Sequence, residues 1–390
     1  SQTRHDLTLK VIELFEQLNP DIDVVPEYTG WDGYWDRLAA QAAGGNLPDV
    51  MQQDYKYLYQ YYESNLLLPL DPFFESGLID ISGVAESVLS SGRINGKHYG
   101  LSLGSNAYAI LYDPAMFSRA GIAPPGVDWT WDDFIDIARQ IRQRLGVFAM
   151  TAMPMTMSNV SGFEHYLRQH GQTLFTPDGR ALGYSDDRYF VEFYKMDIDL
   201  TREGVLAPPE IRLENPTVEN DLIVTGRAAM ASYWTNQIVA ISTAAGRPLE
   251  MALFPNARSQ VQYGSYIKPS MFFSITQHTK NAEAAARFID FFTNSVEANK
   301  ILMAERGVPI AAGVRAGLAP FLGREQQQMF DMVELASRYS SPIDPPPPAA
   351  FNQVLDILDD VHYKMLFGVS TVEQGAREFR QRASAALAAQ

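Results

Sequence analysis

Short apolar, strand-like runs alternate with stripes of helical period along this chain, and that alternation limits its fold more than any other feature. Leu7, Val11, Leu14 and Leu18 form one apolar stripe, Thr3 and Asp6 fit a capping pattern ahead of it, and Asn19-Pro20 closes the helix. Asp21-Ile22-Asp23-Val24 then alternates like a strand, and Trp35 to Ala43 has helical character again. Pro48-Asp49-Val50-Met51 is a short buried-strand candidate whose carboxyl end delivers Gln53-Asp54-Tyr55. Downstream, strands are expected at Tyr108-Ala109-Ile110-Leu111-Tyr112, at Ala228 to Ser232 ending on Tyr233-Trp234, and at Phe272 to Ile275. Helices are expected from Trp131 to Leu145, on the face Ala285, Phe288, Ile289 and Phe292, and on the stripe Val354, Ile357, Leu358, Val361 and Met365. Strand and helix in alternation predict βα units on a mostly parallel sheet. The run Pro345 to Pro348 favours polyproline II and reads as a strut against the body.

The chain has 390 residues, enough for two or three folding units. Against 31 Lys and Arg stand 46 Asp and Glu, a net charge of −15, and so acidic a surface repels phosphate backbones and anionic headgroups. Nucleic acid is therefore not an expected partner. No run approaches the roughly 20 apolar residues that span a bilayer. The absence of cysteine removes thiol nucleophiles, disulfides, cysteine-held zinc and iron–sulfur clusters, and it suits an envelope compartment as well as the cytosol. The abrupt start at Ser1, just before a helix, leaves room for a removed leader or anchor.

Other chemistries lack their signatures. Gly92, Gly96 and Gly100 have the wrong spacing for a dinucleotide or phosphate loop, and no Gly-x-Ser-x-Gly elbow occurs. His165 and His170 are too far apart around a helix to share a metal, so surface or capping roles are expected. The pairs Asp132-Asp133, Asp186-Asp187 and Asp359-Asp360 point in different directions and suit helix termini or solvent. Trp129 and Trp131 are expected to pack at a helix start, and Tyr61-Tyr62 to be embedded in a helix. No cofactor, metal or catalytic residue is predicted, although a glycosidase built on two distant carboxylates is compatible with the spacing. Aromatic residues, 12% of the chain, sit beside planar polar ones in Gln53-Asp54-Tyr55, Ser105-Asn106, Tyr233-Trp234-Thr235-Asn236 and Gly264-Ser265-Tyr266. Aromatic faces with nearby amides suit sugars, and they equally suit core aromatics with polar caps.

The order of several segments bears on that choice. Leu47-Pro48-Asp49-Val50, Gly96-Lys97-His98-Tyr99-Gly100-Leu101, Ile110 to Phe117 with Ala120-Gly121, and Trp131-Asp132-Asp133-Phe134 come first. Gly226 to Met230, Leu253-Phe254-Pro255, Lys280 to Ala285 with Phe288-Ile289, and Gly307-Val308-Pro309 follow. In this order the chain resembles the family 1 extracellular solute-binding proteins of ABC importers, the maltodextrin-binding-like group. It departs from that pattern at its start, where the family has a short aromatic-containing strand before the segment matching Ser1 to Arg4.

The resemblance implies an α/β, two-lobed periplasmic-binding-protein fold of the class II type, with a ligand cleft between lobes joined by hinges near Ser105 to Tyr108 and Pro269 to Phe272. The lobes would be 1–106 with 271–311, and 107–270 with 312–390. It carries ligand contacts onto Gln2, Arg4, Trp31, Gln53, Asp54, Asn106, Ser158, Asn159, Trp234, Asn236, Tyr266, Ser270 and Arg306. Asp54 is either a ligand contact or the N-cap of the following helix, and Trp234 either a sugar platform or interlobe core. Trp31 and Arg306 are open in the same way. The expected function is a monomeric, non-enzymatic component that captures a carbohydrate and delivers it to the permease subunits of an ABC transporter, in the periplasm or tethered to the outer face of the cytoplasmic membrane. The alternatives are a glycosidase or lyase, and a binder of a non-sugar solute such as a polyamine. A neutral or weakly acidic sugar is favoured over a polyanion on charge grounds, with Arg4 and Arg306 as the groups able to reverse that preference.

Overall fold

The computed structural model describes residues 2–153, 161–214 and 218–389. In chain order, the elements that matter begin with helices α1 (Gln2–Leu18) and α2 (Trp31–Gly44), strand β1 (Val50–Gln53) and helix α3 (Tyr55–Glu63). Strands β2 (Leu101–Ser102), β3 (Ser105–Asn106) and β4 (Tyr108–Tyr112) follow, then helices α4 (Trp131–Leu145), α5 (Ser161–Gln169) and α6 (Arg188–Arg202). Strands β5 (Met230–Trp234), β6 (Glu250–Ala252), β7 (Lys268–Pro269) and β8 (Phe272–Ile275) lead to helices α7 (Ala282–Asn294), α8 (Phe351–Leu366) and α9 (Val372–Ala388). The chain divides into two units, Ser1–Asn106 with Ile267–Gly323, and Ala107–Tyr266 with Arg324–Gln390.

The first unit is built on a sheet of order β1-β8-β2. Both ladders are antiparallel, with Gln53 opposite Phe272 and Phe272 opposite Ser102. This corrects the expected parallel sheet. The central strand β8 comes from the returning chain and enters against the direction of its neighbours, which local alternation cannot reveal. Helix α1 buries Val11, Ile12 and Phe15, with the Phe15 ring edge-on to Phe288 of α7 at 5.2 Å. The buried face thus turns away from the expected stripe, and Leu18 is left 63% exposed. The helix already runs from Gln2, so Thr3 lies inside it and is not its cap.

The run Asp21 to Val24 is also corrected. Asp21 lies in a turn and Ile22 to Val24 form no strand, because a strand exists only through a ladder and none pairs with them among the described residues. A cavity of about 500 Å³ lies beside it, lined by Ile12, Val24, Val50, Phe273 and Phe288 among others, and β1 ends the described sheet there.

The second unit is built on the sheet β5-β4-β6, again antiparallel, with Tyr108 opposite Trp234 and Ile110 opposite Ala252. Helix α4 starts with a full capping box in which Thr130 and Asp133 satisfy each other's backbone N–H groups. Trp129 and Trp131 are buried beside it, as their place at a helix start predicts. His165 is buried rather than exposed, and packs 4.9 Å from the Phe254 ring. His170 meets the expectation by bonding the Tyr166 carbonyl near the end of α5 at 2.8 Å. Helix α9 packs on α6 through Phe379 and Phe190, both fully buried, and α8 meets α6 where the His362 ring lies 5.1 Å from that of Tyr194. Inside this unit Asp197, at 0% exposure, meets Arg212 at 2.9 Å and His362 at 2.7 Å. No described helix is long and apolar enough to cross a membrane.

Candidate functional site

In the first unit the ladder registers place three candidates at one end of the sheet. Gln53 ends β1, Ser270 precedes β8 by two residues, and β2 runs out towards Ser105 and Asn106. The Ser270 amide donates to the Gly104 carbonyl at 2.9 Å, and β3 pairs with β7 through Asn106 and Lys268. On the other side Ser105 and Val308 exchange backbone hydrogen bonds at 2.8 and 3.0 Å, which draws the Arg306-Gly307 turn against β3. Gly104 permits that approach, since a Cβ there would lie 1.9 Å from the Arg306 carbonyl oxygen. Gly307 stands at φ +89°, a conformation that glycine adopts without strain.

This end of the sheet carries unsatisfied polar atoms. Gln53 Oε1, Ser105 Oγ, Asn106 Oδ1 and Ser270 Oγ are buried and have no hydrogen-bond partner among the described residues. A buried polar group left unpaired costs about 1–3 kcal/mol, so a cluster of them marks a place where a polar partner is expected. Gln53 spends its amide nitrogen only on the Met51 sulfur at 3.4 Å.

The charged candidates of this unit behave differently. Asp54 caps α3, accepting from the Lys56 amide at 2.9 Å, so the capping alternative describes it. Arg306 is 6% exposed and acts as a brace, donating to Gln52 Oε1 at 2.5 Å and Thr8 Oγ1 at 2.9 Å, with Phe292 under its guanidinium. Burial, with the Arg4 charge beside it, lowers its pKa to about 10. Arg4 itself donates to the Glu305 carbonyl at 3.0 Å. The side chains of Gln2 and Trp31, and all of Ser158 and Asn159, lie outside the described residues.

In the second unit the candidates form an aromatic wall. Trp234 ends β5 and stands edge-on to Tyr108 at 4.7 Å, while Tyr266 lies 6.5 Å from the Trp234 ring. Asn236 is exposed on the short turn that follows Trp234. The sequence puts Tyr108 in a strand and beside a hinge but not among the ligand contacts, yet the ladder sets it directly against Trp234.

Behind Tyr266 lies a polar cluster that spacing alone did not single out. Arg168, 1% exposed on α5, donates to the Gly264 carbonyl at 2.8 Å, Ser341 Oγ at 2.6 Å, the Pro342 carbonyl at 2.7 Å, and Asp344. Its guanidinium sits 5.2 Å over the Tyr266 ring. One turn earlier on α5, Glu164 adjoins Tyr266 and Asp344, and burial pushes its pKa up to about 7. The available sequence signal was the i, i+4 spacing of Glu164 and Arg168 on one apolar-flanked helix. Among the described residues no group of three or more acidic or histidine side chains could hold a metal ion.

Comparison with known proteins identifies the family and the fold. Residues 4–298 match the family described as bacterial extracellular solute-binding protein. A family 1 extracellular solute-binding protein from Alicyclobacillus acidocaldarius is 32% identical, with 99% of this chain and 96% of that one aligned at a TM-score of 0.92. A periplasmic oligogalacturonide-binding protein from Yersinia enterocolitica is 23% identical over 99% of this chain and 96% of its own, at a TM-score of 0.81. An Escherichia coli K12 protein, whose name describes an ABC transporter periplasmic-binding protein, is 22% identical over 301 residues, 74% of this chain and 66% of its own length. The shared architecture is that of two-lobed periplasmic solute-binding proteins.

Proposed function

The chain belongs to the bacterial extracellular solute-binding proteins, which serve ABC transporters, and we propose that its solute is a carbohydrate. The observation that carries this reading is the cluster of Trp234, Tyr108 and Tyr266, in which edge-on neighbours brace the indole of Trp234, the kind of flat, apolar ring on which a pyranose face packs. The unpaired Gln53, Asn106 and Ser270 oxygens of the other unit are acceptors of the kind that hydroxyl groups satisfy. The Yersinia neighbour, named for an oligogalacturonide, supports a sugar by analogy of fold. A polyamine would call for several convergent free carboxylates, and Asp54 is engaged as a helix cap.

In this reading the protein works outside the cytoplasm, in the periplasm or tethered to the membrane's outer face, and hands its ligand to permease subunits. It binds without chemistry, closing its lobes around the sugar. A thermal-shift screen over neutral sugars, uronic acids and polyamines tests the ligand class. A true ligand at a hundred times its Kd adds about 2.7 kcal/mol of stability. Stabilisation by polyamines and by no sugar would overturn the carbohydrate reading, and turnover of an oligosaccharide would overturn the non-enzymatic one. Small-angle scattering with the confirmed ligand tests closure, since an unchanged radius of gyration at saturation is incompatible with it.

A further inference from the structure

The polar cluster behind Tyr266 holds two carboxyl groups and one guanidinium. Arg168 spends its Nε on Gly264, one terminal nitrogen on Ser341 and Pro342, and the other on Asp344. These bonds tie three separate stretches of chain together: α5, the segment ending at Tyr266, and the loop from Ser341 to Asp344. The Ser341 amide closes the same arrangement by donating to the Ser265 carbonyl at 2.9 Å. Gly264 lets the Tyr266 segment press on α5, because a Cβ there would lie 2.4 Å from the His165 carbonyl oxygen. Tyr266 is therefore held from behind by Arg168 and from below by α5, and Trp234 rests near its ring.

Glu164 is the less compensated of the two carboxyl groups, since burial and Asp344 outweigh Arg168 and Tyr266. Its neighbours are Asp344 from the loop, Arg168 on its own helix, and the Tyr266 hydroxyl, which hydrogen-bonds its carboxyl. The guanidinium's hydrogen bonds are committed to Asp344, Ser341 and carbonyl oxygens, so against burial and a second carboxylate an ionised Glu164 would have only the Arg168 charge, shared with Asp344, and the Tyr266 hydroxyl. We propose that Arg168 and Glu164 are the positioning residues of the Trp234–Tyr266 wall, and that Glu164 performs this role in its protonated form. Ionisation sets Glu164 against Asp344 in competition for Arg168, and loosens the Ser341–Asp344 loop and Tyr266 together. The other groups around it stay fixed near neutrality: burial lowers the His165 pKa to about 3 and raises that of Tyr266 well above its ordinary value. Asp344 is also raised by burial, against the lowering effect of its Arg168 partner.

As a statement about ligand capture, this rests on the reading that the wall holds the solute; as a statement about the wall, it does not. The test accordingly uses the ligand-free 390-residue protein. Trp234 emission, taken as the difference between wild type and Trp234→Phe, is followed from about pH 5 to about pH 9. Amide exchange of the segments around Ser265 and Ser341 is measured at the two ends of that range. The expected result is one transition near neutral pH, with the protection of these amides, taken relative to their intrinsic exchange rate at each pH, several-fold lower on the alkaline side. Glu164→Gln, which keeps a donor and cannot ionise, should abolish the transition, while Asp359→Asn, removing another raised carboxyl of the same unit, should leave it in place. Arg168→Lys, retaining charge without the fork, should move the midpoint upward. A wild-type protein with no transition, or a transition that survives Glu164→Gln, overturns the proposal. Unaltered sugar affinity in Trp234→Ala would instead remove the ligand reading and leave the titration intact.

Discussion

Tyr108 and Trp234 face each other across the β4–β5 ladder with their rings 4.7 Å apart and 84° between planes. That edge-on contact leaves Trp234 supported from one side by its own sheet. A platform residue needs such support, because a freely rotating indole loses side-chain entropy when a ligand immobilises it.

Trp234→Ala should therefore cut sugar affinity by about 2–4 kcal/mol while the protein stays folded, as expected for a large aromatic anchor. Calorimetry against a hit from the sugar screen, alongside circular dichroism, measures both halves. Unchanged affinity would make Trp234 a packing residue; an unfolded variant would make it core.

Stability should fall as pH rises because of Glu164. Its folded pKa of about 7 exceeds its ordinary 4.5, so the folded state holds the extra proton between those values. Its contribution is full below about pH 4.5, declines towards pH 7 and is gone above it. The loss should be about 1–3 kcal/mol. Urea titrations of wild type and Glu164→Gln at several pH values should diverge across this window, and parallel curves would refute the assignment.

The buried Asp197 predicts the opposite slope in acid. Burial alone would raise its pKa, but the Arg212 charge and the His362 hydrogen bond hold it well below the usual carboxylate range. This contribution is present above about pH 4 and disappears as pH falls below it. Asp197→Asn should cost about 3–5 kcal/mol at neutral pH, since it leaves Arg212 buried without its counter-charge. Chemical denaturation is the measurement, and a loss below about 1 kcal/mol would show the pair to be compensated elsewhere.

Gly264→Ala should destabilise by about 1–3 kcal/mol and disturb Tyr266, because the added carbon meets His165 backbone rather than a movable side chain. Melting temperature and Trp234 emission should shift together. A shift in the first alone would mean that the segment relaxes without moving the wall.

What the sequence made legible divides by range. The helical run from Trp131 to Leu145, the apolar run of β4 and the aromatic run of β8 are local signals, and each produced its element, whereas the Thr3–Asp6 capping pattern fell inside a helix that already runs from Gln2. Asp21 to Val24 has a strand's alternation, but a strand is a relation between two segments, and the second is not visible in a single pattern. Asp54 illustrates another limit: a carboxylate at a strand end serves equally as cap or as contact until its hydrogen-bond partner is known. Glu164 and Arg168 lie on one helix in plain view, yet what makes them matter is Asp344, 176 residues beyond Arg168 in the chain. Spacing cannot report a meeting of that separation.

The described edge at β1 has a consequence for the molecule in solution. Because the Asp49 carbonyl bonds the Thr276 amide, alternation turns the Val50 and Gln52 backbone groups away from β8, towards the cavity side. Only the Gln52 carbonyl finds a described partner there, the Tyr34 hydroxyl at 2.7 Å. Such an edge accepts a further strand, from this polypeptide or another, and one laid there would pair the Val50 and Gln52 groups and cover the adjoining void.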